Sequence, residues 1–198
     1  CYLQESPSNE IRNWLRDYAR KQNLDFFDLR KGKGFLRNLV IRSNPDGEVM
    51  VIVVFGEEKP KLAFAMLKAL LDAFPGLTSL LYAVNGGSNP TLTSEQVILY
   101  HGSGWLTERL KGLEFKIGPV SFFQTNSYQA AALYQSVLDF AQLEGHELVY
   151  DLYTGTGTIA LFLARHARFV IGIEYVEEAV AHARTNADIN SIGNVSFF

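Results

Sequence analysis

The chain alternates between two hydrophobic rhythms. Near the amino terminus, Ile11, Trp14, Leu15, Tyr18 and Ala19 recur at helical spacing, which predicts a helix with one apolar face. Ser6 is its expected N-cap, with Pro7 at the first helical position, where a missing N–H costs nothing. Residues 24–31 and 35–43 read as strands, and "NPDG" at 44–47 as a turn into a strand over 48–55. That last run is apolar on both faces, so the strand should be central. Residues 59–74 are helical, stopped by Pro75-Gly76; 77–84 is a buried strand and 85–91 a loop. Residues 96–100 and 106–117 read as further strands, the latter with a tight turn near Gly112. This first part is α+β, with antiparallel pairing expected between its early strands.

The rhythm changes near residue 120. A helix is expected over 125–143, capped by Thr125 or Asn126. Strands at 146–153 and 168–175 alternate with helices at 158–167 and 176–191, and "NVSFF" begins a third strand. Such alternation implies βαβ units and a parallel sheet. The sequence therefore divides into an α+β domain over 1–119 and the start of an α/β, Rossmann-like domain over 120–198.

In a parallel sheet the ligand site lies at the carboxyl ends of the strands. "YDLYTGTGTIA" occupies such an end. Gly155 and Gly157 let the chain turn tightly and let a ligand approach the backbone, because no Cβ blocks it. "GTGTIA" fits G-x-G-x-x-A, a pattern compatible with a dinucleotide such as NAD. Asp151 argues otherwise. A carboxylate closing the strand repels a pyrophosphate and attracts a cation, such as the amino group or sulfonium of S-adenosylmethionine. Glu174 ends the next strand, where an acidic side chain can accept from both ribose hydroxyls. The alternative is a glycine-rich turn with no ligand and a solvated glutamate.

Bulk properties narrow the classes. The chain is 198 residues long, 47% hydrophobic and 20% charged, within the range of one large or two small globular domains. A net charge of −3 gives no overall attraction to a polyanion, so any nucleic-acid partner needs a local basic patch. Arg30, Lys31, Lys33, Arg37 and Arg42 fall close together, interleaved with Phe35 and Leu39. They form either a phosphate-contacting, base-stacking hairpin or a solvated sheet face. No apolar run approaches the ~20 residues of a membrane span, and no signal peptide is expected at the start of the chain. Cys1 is the single cysteine, which excludes an internal disulfide framework; a reducing cytoplasm is the expected location. His101, His146, His166 and His182 lack ligand spacing, so no metal is expected. Asn186 and Asn190, one turn apart on the last helix, are expected to face solvent or cap its end. The chain lacks an initiator Met and stops within a strand pattern, so it is expected to be a piece of a longer protein.

Four segments, "GFLRNLVIR", "SFFQTNSYQAAALY", "VYDLYTGTGTIALFLA" and "VIGIEYVEEAVAHARTNADINSIGNVSFF", occur in the order found in the RNA uracil-5-methyltransferases, which this chain resembles over most of its length. The resemblance implies S-adenosylmethionine as cofactor and RNA, ribosomal or transfer, as partner. It also implies roles: Gln124 contacting the cofactor, Tyr153 and Thr158 lining the pocket beside Asp151, Gly155 and Gly157, and Glu174 holding the ribose. Gln124 has the alternative of capping the following helix. Thr154 stands where the family often has Cys, read here as a packing variation. The family's nucleophilic cysteine and base are expected beyond Phe198, so the chain carries no catalytic residue, and Cys1 does not match that segment. Two rival classes remain: an NAD-linked oxidoreductase, and a non-catalytic RNA-binding module using the residues before 120.

Overall fold

A computed structural model describes residues 6–89, 91–93 and 96–198. The chain separates into two compact units, Cys1–Leu106 and Thr107–Phe198.

The first unit is a mixed four-stranded sheet in the order β1-β2-β3-β4: Leu36–Ser43, Val49–Phe55, Ser79–Val84 and Val97–Gly102. Strands β1 and β2 pair antiparallel across a turn in which the Asn44 carboxamide accepts from the Glu48 N–H at 2.9 Å. The helix Pro60–Ala73 carries the chain from β2 to β3, which are parallel. The early strands β1 and β2 are thus antiparallel, as expected, and the βαβ crossover adds a parallel pair that the sequence pattern did not assign. Every residue of β2 is buried, and alternation of side chains splits them between two faces. Val49, Val51, Val53 and Phe55 join a core with Ile11 and Leu15 of the first helix (α1, Ser8–Lys21) and Met66, Leu67 and Leu70 of the second (α2). Met50, Ile52 and Val54 join Leu81, Ala83 and Leu106 on the other face.

Two local expectations fail here. Pro7 occupies the N-cap position of α1, not the first helical turn, and Ser6 makes no backbone cap; its hydroxyl donates to the Glu10 carboxylate at 2.9 Å. Residues 24–31 form no continuous strand; Phe26 and Asp28 make only isolated bridges, to Leu36 and Lys33. The Asp28 carboxylate accepts from the backbone N–H groups of Arg30 and Lys31, at 2.9 and 3.2 Å, and folds the segment into a turn. A short polar side chain competing with the ladder outweighs the apolar pattern.

A hairpin of β5 (Leu106–Leu110) and β6 (Leu113–Ile117), turned at Lys111-Gly112, both at positive φ, belongs from Thr107 onward to the second unit. Helix α3 (Ser127–Ala141) follows, and the Asn126 side chain accepts from the Gln129 N–H as its cap. A parallel sheet in the order β7-β8-β9 comprises Leu148–Leu152, Phe169–Ile173 and Val195–Phe197, with α4 (Thr158–Ala164) and α5 (Glu177–Ile189) as crossovers. One core collects Leu113, Phe115 and Ile117 of β6, Tyr134 of α3, most of α4, and Val180, Ala183 and Ala187 of α5. The hairpin thus packs with the α/β elements that follow it, so the division by packing falls earlier than the boundary near residue 120 set by strand–helix alternation. Leu148, Tyr150, Leu152 and Ile173 remain exposed on the sheet. Among the described residues no helix is long and apolar enough to cross a membrane.

Candidate functional site

The carboxyl ends of β7 and β8 adjoin because the strands pair in parallel, with Asp151 opposite Gly172 and Leu152 opposite Ile173. The chain leaves β7 through Tyr153 at φ +66°, and the Thr154 N–H donates to the Ile173 carbonyl at 3.0 Å. Gly155 (φ +56°) and Gly157 (φ +80°) complete the turn, and Gly157 is the N-cap of α4. The two glycines serve different ends. A Cβ on Gly155 would meet nothing within 4 Å, so its backbone lies open to a ligand. A Cβ on Gly157 would lie 2.9 Å from the Phe197 ring and 3.0 Å from Ala183 Cβ.

Two carboxylates bracket this turn. Asp151 accepts from the Thr154 hydroxyl at 2.7 Å. Burial pushes its carboxyl above the ordinary 3.8, while the bonds from Thr154 and the Ala160 N–H pull it back. Thr154 is therefore more than a packing variant, since its hydroxyl donates to the half-buried aspartate. Glu174 accepts from the Gly155 N–H through Oε2 and from the Val176 N–H through Oε1, both at 2.9 Å. Two carboxylate oxygens offer about four acceptor positions, so capacity remains for hydroxyl donors.

Asp151, Gly155 and Glu174 thus come together with Thr154. Thr158 shares a 3.0 Å hydrogen bond with the buried Tyr134 hydroxyl, tying α4 to α3; burial pushes that phenol above its usual range. Tyr153 projects into solvent, 87% exposed. Gln124 lies in the segment before α3, half-buried. Asn126 takes the cap, so Gln124 does not have that task. No hydrogen bond joins Gln124 to the glycine turn among the described residues. Cys1 lies outside the described residues.

Sequence reasoning misplaced Asn186, whereas Asn190 caps the end of α5, one of the two places expected for it. Asn186 is fully buried; its Nδ2 donates to the Thr156 carbonyl at 3.1 Å and its Oδ1 accepts from the Lys116 N–H at 2.9 Å. The Asn190 carboxamide bonds both the N–H and the C=O of Glu114, at 2.8 and 2.6 Å. Neither faces open solvent. The available signal was their phase: 186 and 190 fall on the same helix face as Val180, Ala183 and Ala187.

The basic cluster of the first unit does not form one surface. One guanidinium nitrogen of Arg37 donates to the Asn85 and Gly87 carbonyls and to Asn85 Oδ1, and its guanidinium lies 4.5 Å over the Phe27 ring. Burial lowers the Arg42 guanidinium below its usual range. Lys31 is 3.7 Å from the Asp28 carboxylate.

Known proteins resemble the chain along its whole length. Residues 104–198 match the family model described as tRNA (uracil-5-)-methyltransferase. An uncharacterized RNA methyltransferase of Bacteroides thetaiotaomicron is 49% identical over 100% of this chain and 44% of its own length. One of Caldanaerobacter subterraneus is 36% identical, with the same coverage of both chains. The chain thus spans less than half the length of these curated relatives. Among solved structures, the Pyrococcus abyssi tRNA (uracil-54, C5)-methyltransferase in complex with S-adenosyl-L-homocysteine superposes with a TM-score of 0.71 at 28% identity, over 93% of this chain and 44% of that one. The M. jannaschii tRNA m1G37 methyltransferase matches at 12% identity and a TM-score of 0.54, over 98% and 52%, a likeness of fold alone.

Proposed function

Because this chain belongs to the RNA uracil-5-methyltransferase family, we propose that it forms part of an S-adenosylmethionine-dependent enzyme that methylates C5 of uridine in RNA, and that the glycine turn holds the cofactor. One observation carries the cofactor reading. A half-buried carboxylate, Asp151, and a second carboxylate, Glu174, flank a glycine whose missing Cβ leaves open space. The residues fit the group. Asp151 receives a cationic amino group, and its burial strengthens the attraction. Glu174 accepts from ribose hydroxyls while its bonds to the Gly155 and Val176 N–H groups fix its rotamer. Gly155 lets the ligand lie against the backbone. Tyr153 provides an exposed ring at the rim, and Gln124 and Thr158 complete the set of proposed contacts. When bound, the cofactor supplies an electrophilic methyl group on a sulfonium.

Uracil C5 is a poor nucleophile until a thiolate adds to C6, and the C5 proton must then leave to a base. Neither group is assigned within residues 1–198, and sequence outside this stretch is proposed to supply both. The 198-residue chain alone should not methylate RNA; sustained turnover by it would refute this.

A dinucleotide reading has G-x-G-x-x-A in its favour, but a phosphate placed on this turn would face Asp151. Calorimetric titration separates the two. S-adenosylhomocysteine should bind, and more weakly to Asp151→Asn, whereas NADH should not. Binding of NADH in its place would overturn the assignment.

A further inference from the structure

Asn186 performs a task that neither the glycine turn nor the carboxylates account for. The turn has positive φ at Tyr153, Gly155 and Gly157, so its conformation requires support from outside. Its own backbone supplies the Gly157 N–H to Thr154 carbonyl bond, at 2.9 Å. The Thr156 carbonyl, at the middle of the turn, is held instead by the Asn186 carboxamide at 3.1 Å. The same carboxamide accepts from the Lys116 N–H at the end of β6, from which the chain runs directly into the segment containing Gln124. One buried side chain thereby spans the two stretches that carry the proposed ligand contacts. Asn190, one turn further along α5, makes the same kind of tie to β6 at Glu114 but does not touch the turn. A second link joins that segment to α5: Ser121 Oγ lies 3.1 Å from His182 Nδ1.

We propose that Asn186 is the positioning residue of the ligand site, holding the Thr156 carbonyl against the end of β6 so that the glycine turn and the Gln124 segment keep one relative geometry. This rests on the ligand reading above for what the site binds, but not for the restraint itself. Donor and acceptor are both required. Asn186→Asp is nearly isosteric; it keeps the acceptor for Lys116, removes the donor to Thr156 and sets an oxygen against the carbonyl.

The test compares Asn186→Asp with Asn190→Ala in the protein at its full encoded length. Asn190→Ala serves as the control because it also severs backbone bonds between α5 and β6. The Gly157 amide should exchange at least tenfold faster in Asn186→Asp and less than threefold faster in Asn190→Ala, with no ligand present. The dissociation constant for S-adenosylhomocysteine should rise at least tenfold in Asn186→Asp and less than threefold in Asn190→Ala, with RNA affinity within twofold of the parent in both. Equal effects of the two variants on exchange, or unchanged Gly157 protection in Asn186→Asp, would overturn the proposal. If the parent protein binds no S-adenosylhomocysteine, the cofactor assignment falls, and amide exchange still decides the role of Asn186. In the unaltered protein the Asn186 side-chain amide resonances should shift on titration with S-adenosylhomocysteine while those of Asn190 stay in place. Where S-adenosylhomocysteine binds and neither moves, or both move alike, the proposal fails even where the variants do not fold.

Discussion

Alanine at Gly157 and alanine at Gly155 should have opposite profiles. Both residues hold positive φ, +80° and +56°, where a Cβ costs about 1–2 kcal/mol against the following carbonyl. At Gly155 that is the whole cost, because the new methyl enters open space. At Gly157 the methyl would lie 2.9 and 3.1 Å from ring atoms of Phe197 and 3.0 Å from Ala183 Cβ. The ring has little retreat, since Phe197 is 4% exposed and the same ring edge also closes on Gly172, whose added Cβ would meet it at 2.5 Å. Overpacking of this kind costs about 1–3 kcal/mol, which brings Gly157→Ala to roughly 2–5 kcal/mol. For a unit of about 90 residues each kcal/mol shifts Tm by about 4–8 °C. Gly157→Ala should therefore lower the calorimetric transition of Thr107–Phe198 by about 8–40 °C, and Gly155→Ala by about 4–16 °C. Affinity for S-adenosylhomocysteine should be lost in Gly155→Ala despite its milder effect on stability. If Gly155→Ala destabilises as much as Gly157→Ala, the assignment of one glycine to the ligand and the other to the core is wrong.

Asp151→Asn should weaken S-adenosylhomocysteine binding about 10- to 100-fold at neutral pH, the value of a charge-assisted hydrogen bond. Burial raises the Asp151 carboxyl above 3.8, so in the unliganded protein its contribution to stability is present below that value and lost as pH rises through the raised one. A cationic ligand needs the ionised form; affinity should fall as pH is lowered through the raised value, and a pH-independent affinity in the parent would refute the pairing. Arg37→Ala removes three donated hydrogen bonds and the Phe27 contact, and should destabilise the first unit by about 1–3 kcal/mol without changing S-adenosylhomocysteine affinity; a change under ~0.5 kcal/mol in denaturant titration would refute the structural role. With Arg37 held against the Asn85 loop, Arg30→Ala with Lys33→Ala should alter the salt slope of RNA binding by less than about 0.7, the value of one single-strand phosphate contact; a larger fall would restore the basic hairpin.

Elements governed by one rhythm were legible in the sequence. The β2 run and the βαβ alternation after residue 120 required only the count of apolar positions, and the turn at Gly155 was visible because glycine, strand end and carboxylate are adjacent in the chain. Residues 24–31 were misread because Asp28 satisfies its own neighbours, a local bond that hydrophobic pattern does not register. The hairpin 106–117 was recognised, but its partner was not, because packing against α5 is a matter of distance along seventy residues. Asn186 shows the same limit. An amide looks alike in sequence whether it meets water or a carbonyl, and only its alignment with Val180, Ala183 and Ala187 marked it as inward. The arginines reverse the error: a cluster in sequence alternates across a strand, and Arg37 is spent on the loop at Asn85.

The Asn190 carboxamide has one more consequence. It engages the N–H and C=O of Glu114 as a neighbouring peptide would, and Asn186 takes the N–H of Lys116. A two-stranded ribbon ordinarily offers a ready rim to a stray strand from another molecule. Here helix side chains occupy both backbone groups of Glu114 and the N–H of Lys116, so that flank of β6 has fewer groups with which to recruit one, and edgewise pairing there is blunted without a third strand.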